Sequence, residues 1–117
     1  MLILSEKKSF KEIIEADGID YFPDDKMIKA VADLDKRIIA VNAALHSDLE
    51  EYLLDSGSEQ SSLYGFNIYE GNEIEYDSLI NPPRNREDGF PRGGREVASE
   101  EKRKIIEEIV DQWIQPC

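Results

Sequence analysis

The sequence predicts a single α+β domain: a mostly antiparallel sheet of about five strands packed with three helices, in the order β-α-β-β-α-β-β-α. Three observations predict it. Two stretches, residues 27–44 and 61–81, each hold paired apolar runs split by a short polar break, the pattern of a hairpin. Three further segments place apolar residues at helical intervals. A length of 117 residues with 40% hydrophobic content matches one domain with one packed core. The domain is expected to span residues 1–117, with an Arg/Gly/Pro-rich loop at 82–97.

Leu2, Ile3 and Leu4 read as a short first strand. Ser9 and Glu12 then have capping-box spacing, in which each side chain satisfies an open backbone N–H at a helix start. Phe10, Ile13 and Ile14 form the apolar face of that helix, and Gly18 stops it. "MIKAVADL" and "RIIAVNAA" form a hairpin across "DLDKR", without the Asn-Gly or Asp-Gly of the strongest turns. Apolar residues fill both faces in places, so this hairpin is expected at the centre of the sheet. "LHSDLEEYLLDSGS" reads as a helix, with Ser47 and Glu50 at capping-box spacing and Leu45, Leu49, Tyr52 and Leu53 at helical intervals. Gly57 can take the left-handed conformation that closes it. In the second hairpin Tyr64, Phe66 and Ile68 share a face, as do Ile74, Tyr76, Ser78 and Ile80 on the return. "EGNE" supplies the turn, and Pro82 and Pro83 end the strand because proline cannot extend a ladder. The last helix starts after Ser99, with Glu100 and Glu101 suited to its positive end. Its apolar stripe is Ile105, Ile106, Ile109, Val110, Trp113 and Ile114.

The net charge is −12, which repels nucleic acid and anionic membranes. Residues 81–96 oppose that field. Arg84, Arg86, Arg92 and Arg95 against Glu87, Asp88 and Glu96 leave this stretch at +1 and the rest of the chain at −13. The one cysteine, Cys117, cannot form an internal disulfide. No apolar run approaches the ~20 residues of a membrane span, and "MLILSEKK" is too short for a signal peptide. A cytoplasmic location is therefore expected.

Any imidazole chemistry must use His46, the single histidine. It sits at a helix start with Asp48 two residues on. It can bridge that helix to a neighbouring strand, contact a ligand, or act as base or nucleophile with Asp48 as its orienter. Arg84 and Arg86 follow a strand and can grip phosphate or carboxylate in two-pronged fashion, or pair with the chain's own carboxylates. Gln60, Asn67, Ser78 and Asn81 can line one end of the sheet with these arginines, as a structural network or as a ligand pocket. Ser58 is expected to bond the turn after Gly57.

No metal site is expected. Glu73, Glu75 and Asp77 alternate on one strand face, Asp33 and Asp35 flank a turn, and none of these has calcium-loop spacing. One histidine and one terminal cysteine give no zinc set. Dinucleotide, phosphate-loop and nucleophile-elbow motifs are absent, and no cofactor is expected.

The stretches "LHSDLEEYLLDSGSEQSSLYGFNIY", "IEYDSLIN" and "NR", followed by an amphipathic helix, resemble a family of small prokaryotic proteins catalogued as a domain of unknown function. The shared pattern is Leu-His-x-Asp, a Leu-Leu pair, Gly-Ser-x-Gln, aromatic-Gly-x-Asn and Ser-Leu/Met-Ile-Asn. His46, Asp48, Gly57, Ser58, Gln60, Gly65, Asn67, Ser78, Asn81 and Arg86 occupy matching positions. The chain departs from it at "NAA" (42–44), where the relatives tend to have glycines, and at Pro82-Pro83, where they have a more basic pair. The resemblance implies no activity. It implies that the polar positions belong together.

The expected function is a non-enzymatic binding or interaction module with an anion-accepting polar site, for a small anionic molecule or an acidic protein. The alternative is a small hydrolase or transferase acting on a phosphorylated or carboxylated substrate through His46. Homodimerisation through a sheet edge or the Trp113 face is compatible with either.

Overall fold

In the computed structural model residues 1–76 and 100–116 are described. Ser78, Asn81, Arg84, Arg86 and the 82–97 loop lie outside the described residues, as does the far end of the second hairpin. The strands are β1 (Leu2–Ile3), β2 (Lys8–Ser9), β3 (Met27–Asp33), β4 (Ile38–Val41), β5 (Leu63–Tyr69), β6 (Glu73–Glu75) and β7 (Ile114–Gln115). The helices are α1 (Phe10–Asp17), α2 (His46–Asp55) and α3 (Glu100–Trp113), and a single 3₁₀ turn (Gln60–Ser62) leads into β5.

Five strands form one antiparallel sheet in the order β1-β4-β3-β5-β6. The α+β class and both hairpins agree with the sequence. A parallel pairing of β2 with β7, Lys8 opposite Ile114 and Ser9 opposite Gln115, adds a second small sheet that the sequence did not signal. Alternation along the strands sorts side chains into two cores. Ile28, Ala30 and Ala32 of β3 join Ile39, Val41, Tyr64, Phe66 and Ile68 beneath α1 and α3, against Phe10, Ile13, Ile106, Ile109 and Val110. Val31, Ala40 and Leu63 face the other way and are covered by Leu49 and Leu53 of α2. The sheet is thus sandwiched between helices, which is why β3 is apolar on both faces. Burial of each such leucine is worth about 1.5–3 kcal/mol.

Local signals fix the ends. Ser9 Oγ accepts from Glu12 N–H at 3.2 Å, and Glu12 Oε1 accepts from Ser9 N–H at 3.1 Å, completing the capping box of α1. The bond from the Ser9 backbone, then that from its side chain, hold the Glu12 carboxyl below its ordinary value. Gly18, at φ 74°, closes the helix. The β3–β4 turn has no glycine. Buried Asp33 caps it instead, its Oδ1 accepting from the N–H groups of Asp35 and Lys36, both at 3.0 Å. Ser62 Oγ donates to Asp35 at 2.6 Å, so these two acids serve the turn. Trp113 is half-buried, and its indole N–H donates to the Arg37 carbonyl at 2.9 Å, tying α3 to the same turn.

Candidate functional site

Helix α2 begins two residues earlier than its capping-box spacing suggests. Its N-cap is Leu45, in extended backbone with no side-chain cap, and the Ser47–Glu50 capping box does not form. His46 therefore occupies the first helical position and points inward, with 8% of its surface exposed. Its Nε2 lies 2.9 Å from the carbonyl oxygen of Phe66 in β5. A carbonyl only accepts, so Nε2 carries the proton. The bonds Leu34 N–H to Ser62 O and Glu70 N–H to Lys26 O set the ladder's phase. That phase turns the Phe66 carbonyl toward Ala30, its partner on β3. The imidazole occupies a second direction on the same oxygen, from above the sheet.

Asp48 lies two positions further along, about 200° around the helix, and so faces away from His46. Its side chain is exposed on the outer face with Glu51 and Asp55. No bond joins it to the imidazole among the described residues. As an acid in the first turn it complements the helix dipole instead.

Asn67 immediately follows Phe66 and alternates onto the face covered by α2. It is 6% exposed. Its Nδ2 donates to Glu75 Oε1 at 2.8 Å across the β5–β6 pair, and its Oδ1 is buried without a hydrogen-bond partner. His46 thus bonds the residue that precedes Asn67 on β5. Gln60 is exposed in the 3₁₀ turn, before the start of β5. Leu63 and Asn67 are four strand positions apart, about 13 Å, and Gln60 lies further back. Gly57, at φ 101°, closes α2 as expected, with Ser58 N–H donating to Leu53 O at 3.0 Å. The Ser58 hydroxyl is buried and unpartnered, so it is the backbone of Ser58 that bonds the turn.

The described residues on either side of the arginine-bearing segment meet at the β5–β6 edge. Tyr76 stands one residue beyond the Asn67–Glu75 pair, beside Phe66 in register. Its hydroxyl lies 3.2 Å from Glu107 Oε1 and 3.4 Å from the Arg103 carbonyl. The Arg103 guanidinium sits 4.5 Å over the Tyr76 ring, and Lys102 Nζ 5.2 Å over that of Tyr64. Burial, then the Glu107 charge, push the Tyr76 phenol well above its ordinary value, and Arg103 partly opposes them. Residue 76 and the first turn of α3 are therefore clamped together on the strand whose carbonyl holds His46.

Glu73 and Glu75 share a strand face, and Glu75 is engaged by Asn67 and, at 3.4 Å, by the Tyr69 hydroxyl. Partial burial, then Glu75, raise the Tyr69 phenol. Among the described residues no three His, Cys, Asp or Glu side chains gather as a metal site requires, and no helix is long and apolar enough to cross a membrane.

Two residues escaped the sequence reading. Glu50, whose spacing suits a capping carboxylate, has a buried Oε2 with no hydrogen-bond partner among the described residues. Its spacing of four from His46 was the available signal. Asn42 is 1% exposed at φ 69°, with Nδ2 donating to Asp17 Oδ2 at 2.7 Å and to the Ile19 carbonyl at 2.8 Å.

Neither a curated protein nor a solved structure matches the chain. One family model matches residues 3–113, nearly the whole length. The chain belongs to that family, described as "Protein of unknown function (DUF5674)".

Proposed function

We propose that the protein is a non-enzymatic cytoplasmic binding module that accepts an anionic small molecule, with Arg84 and Arg86 as the clamp and the His46–Asn67 end of the sheet as its wall. The observation that carries this reading is the bond from His46 Nε2 to the Phe66 carbonyl. An imidazole committed to the backbone at that atom, with Asp48 turned outward, is a strut between α2 and β5 and not a poised base. Two guanidinium groups in a chain of net charge −12 supply fixed positive charge that phosphate or carboxylate can bridge. The Tyr76–Arg103 contact supports the same reading, because it fixes both flanks of the arginine segment beside β5.

Calorimetric titration of the full chain with inorganic phosphate and citrate tests the proposal. Saturable binding is expected in the native chain, with loss of at least tenfold in affinity in the Arg84→Ala/Arg86→Ala variant and a melting temperature within about 2 °C of the parent, as surface substitutions usually give. A large fall in melting temperature, or unchanged affinity, would show that these arginines pair internally. An acidic protein in place of the small molecule would leave phosphate and citrate without effect.

A further inference from the structure

The orphaned polar atoms beside His46 ask for a ligand of opposite character to the anion. On α2, Leu49 and Leu53 point at the sheet and Tyr52 lies on one flank of that apolar face. At 100° per residue, His46 and Glu50 share the other flank. The bond from His46 to Phe66 identifies it as the flank facing β5. Glu50 is one turn further along, over the stretch of β5 that runs back toward Leu63. On the same sheet face, Gly65 alternates between Leu63 and Asn67 and contributes no side chain. Two acceptors thus lie on the two elements that the imidazole joins: Glu50 Oε2 and Asn67 Oδ1, both buried and, among the described residues, both without a hydrogen-bond partner. The Asn67 donor is already committed to Glu75. What remains unmet are acceptors, and native proteins rarely leave buried acceptors empty without a reason.

We infer that the seam between α2 and β5 binds a small organic cation, a protonated amine or guanidine, whose N–H groups donate to Glu50 and Asn67. A carboxylate and an amide oxygen accept and cannot donate, so an inorganic anion does not satisfy them. The surrounding charge of −12 favours approach of a cation. The inference rests on described residues alone and needs neither Arg84 nor Arg86.

Agmatine, which carries a guanidinium and an ammonium and no anionic group, is the probe. In calorimetry of the full chain at 150 mM NaCl, saturable one-to-one binding is expected. Glu50→Gln should lower affinity at least tenfold and leave the ligand-free melting temperature no lower. Glu51→Gln, one residue on and exposed, should bind like the parent. The single histidine gives one pair of imidazole C–H signals in proton NMR, and saturation with agmatine should shift them. No saturable binding at millimolar agmatine, an unchanged affinity in Glu50→Gln, an equal loss in Glu51→Gln, or unmoved histidine signals would each overturn the inference. Phosphate titrated in parallel separates the two readings, since its affinity should depend on Arg84 and Arg86 and not on Glu50.

Discussion

Asn42 answers two demands at one position. Its φ of 69° lies in the left-handed region, which costs most residues about 1–2 kcal/mol but suits glycine and, less well, asparagine. Its side chain then does what glycine cannot. Nδ2 holds Asp17 and the Ile19 carbonyl, fastening the loop after α1 to the end of β4. Asparagine at 42 thus takes a backbone geometry that glycine would also allow and adds two bonds. Asn42→Ala should lose about 2–3 kcal/mol, from backbone strain together with the orphaned partners. Asn42→Gly should lose about 1 kcal/mol less, because the strain is absent. Urea denaturation of both variants measures the difference, and equal losses would remove the backbone explanation. His46 belongs to the same scale. Its role as a bridge from helix start to strand was among the readings the sequence allowed. Its partner was not legible, because a backbone carbonyl twenty residues away leaves no mark on side-chain identity.

At the level of elements, periodicity made the helices and hairpins legible, while short or locally unpatterned features were not. The two-residue strands β2 and β7 are too brief to show alternation, and they pair across almost the whole chain. The start of α2 was misplaced because Ser47–Glu50 has the spacing of a cap. The structure instead places His46 in the first turn to reach β5, and Leu45 takes the cap position without a side-chain bond. The clamp between β6 and α3 was equally hidden, since Tyr76 read simply as a strand aromatic. Its chemistry is testable through pH. Burial, reinforced by Glu107, raises the Tyr76 phenol in the folded state. The stability this neutral phenol supplies is fully present below the unfolded tyrosine value of about 10 and is lost as pH rises above it. Tyr76→Phe gives up the hydroxyl contacts but has no proton to lose. The variant should melt below the parent at pH 8, and the gap should narrow or reverse by pH 11. Lysine titration is common to both chains and cancels in the comparison. A constant gap across that range would mean that the phenol is not held neutral by the fold.

Among the described residues few acids are held in side-chain ion pairs. The side-chain ion pairs Lys8–Glu6, Lys11–Glu15 and Arg37–Glu108 all hold an acid more than half exposed, and exposed pairs of this kind contribute about 0–1 kcal/mol. With a net charge of −12, mutual repulsion among the remaining carboxylates opposes compaction. The screening length falls from about 30 Å at 0.01 M salt to about 8 Å at 0.15 M, so salt weakens the long-range repulsion more than the short contacts. Melting temperature should therefore rise by a few degrees between 10 and 150 mM NaCl, about 1 kcal/mol or less at this chain length. A fall would mean that ion pairing outweighs repulsion. Screening depends on ionic strength and not on ion identity. A larger rise in phosphate than in chloride at matched ionic strength is what an occupied anion site adds, provided that the excess persists in Glu50→Gln and disappears in Arg84→Ala/Arg86→Ala. If the excess survived in the arginine variant, it would reflect the general exclusion of phosphate from protein surfaces and not a site.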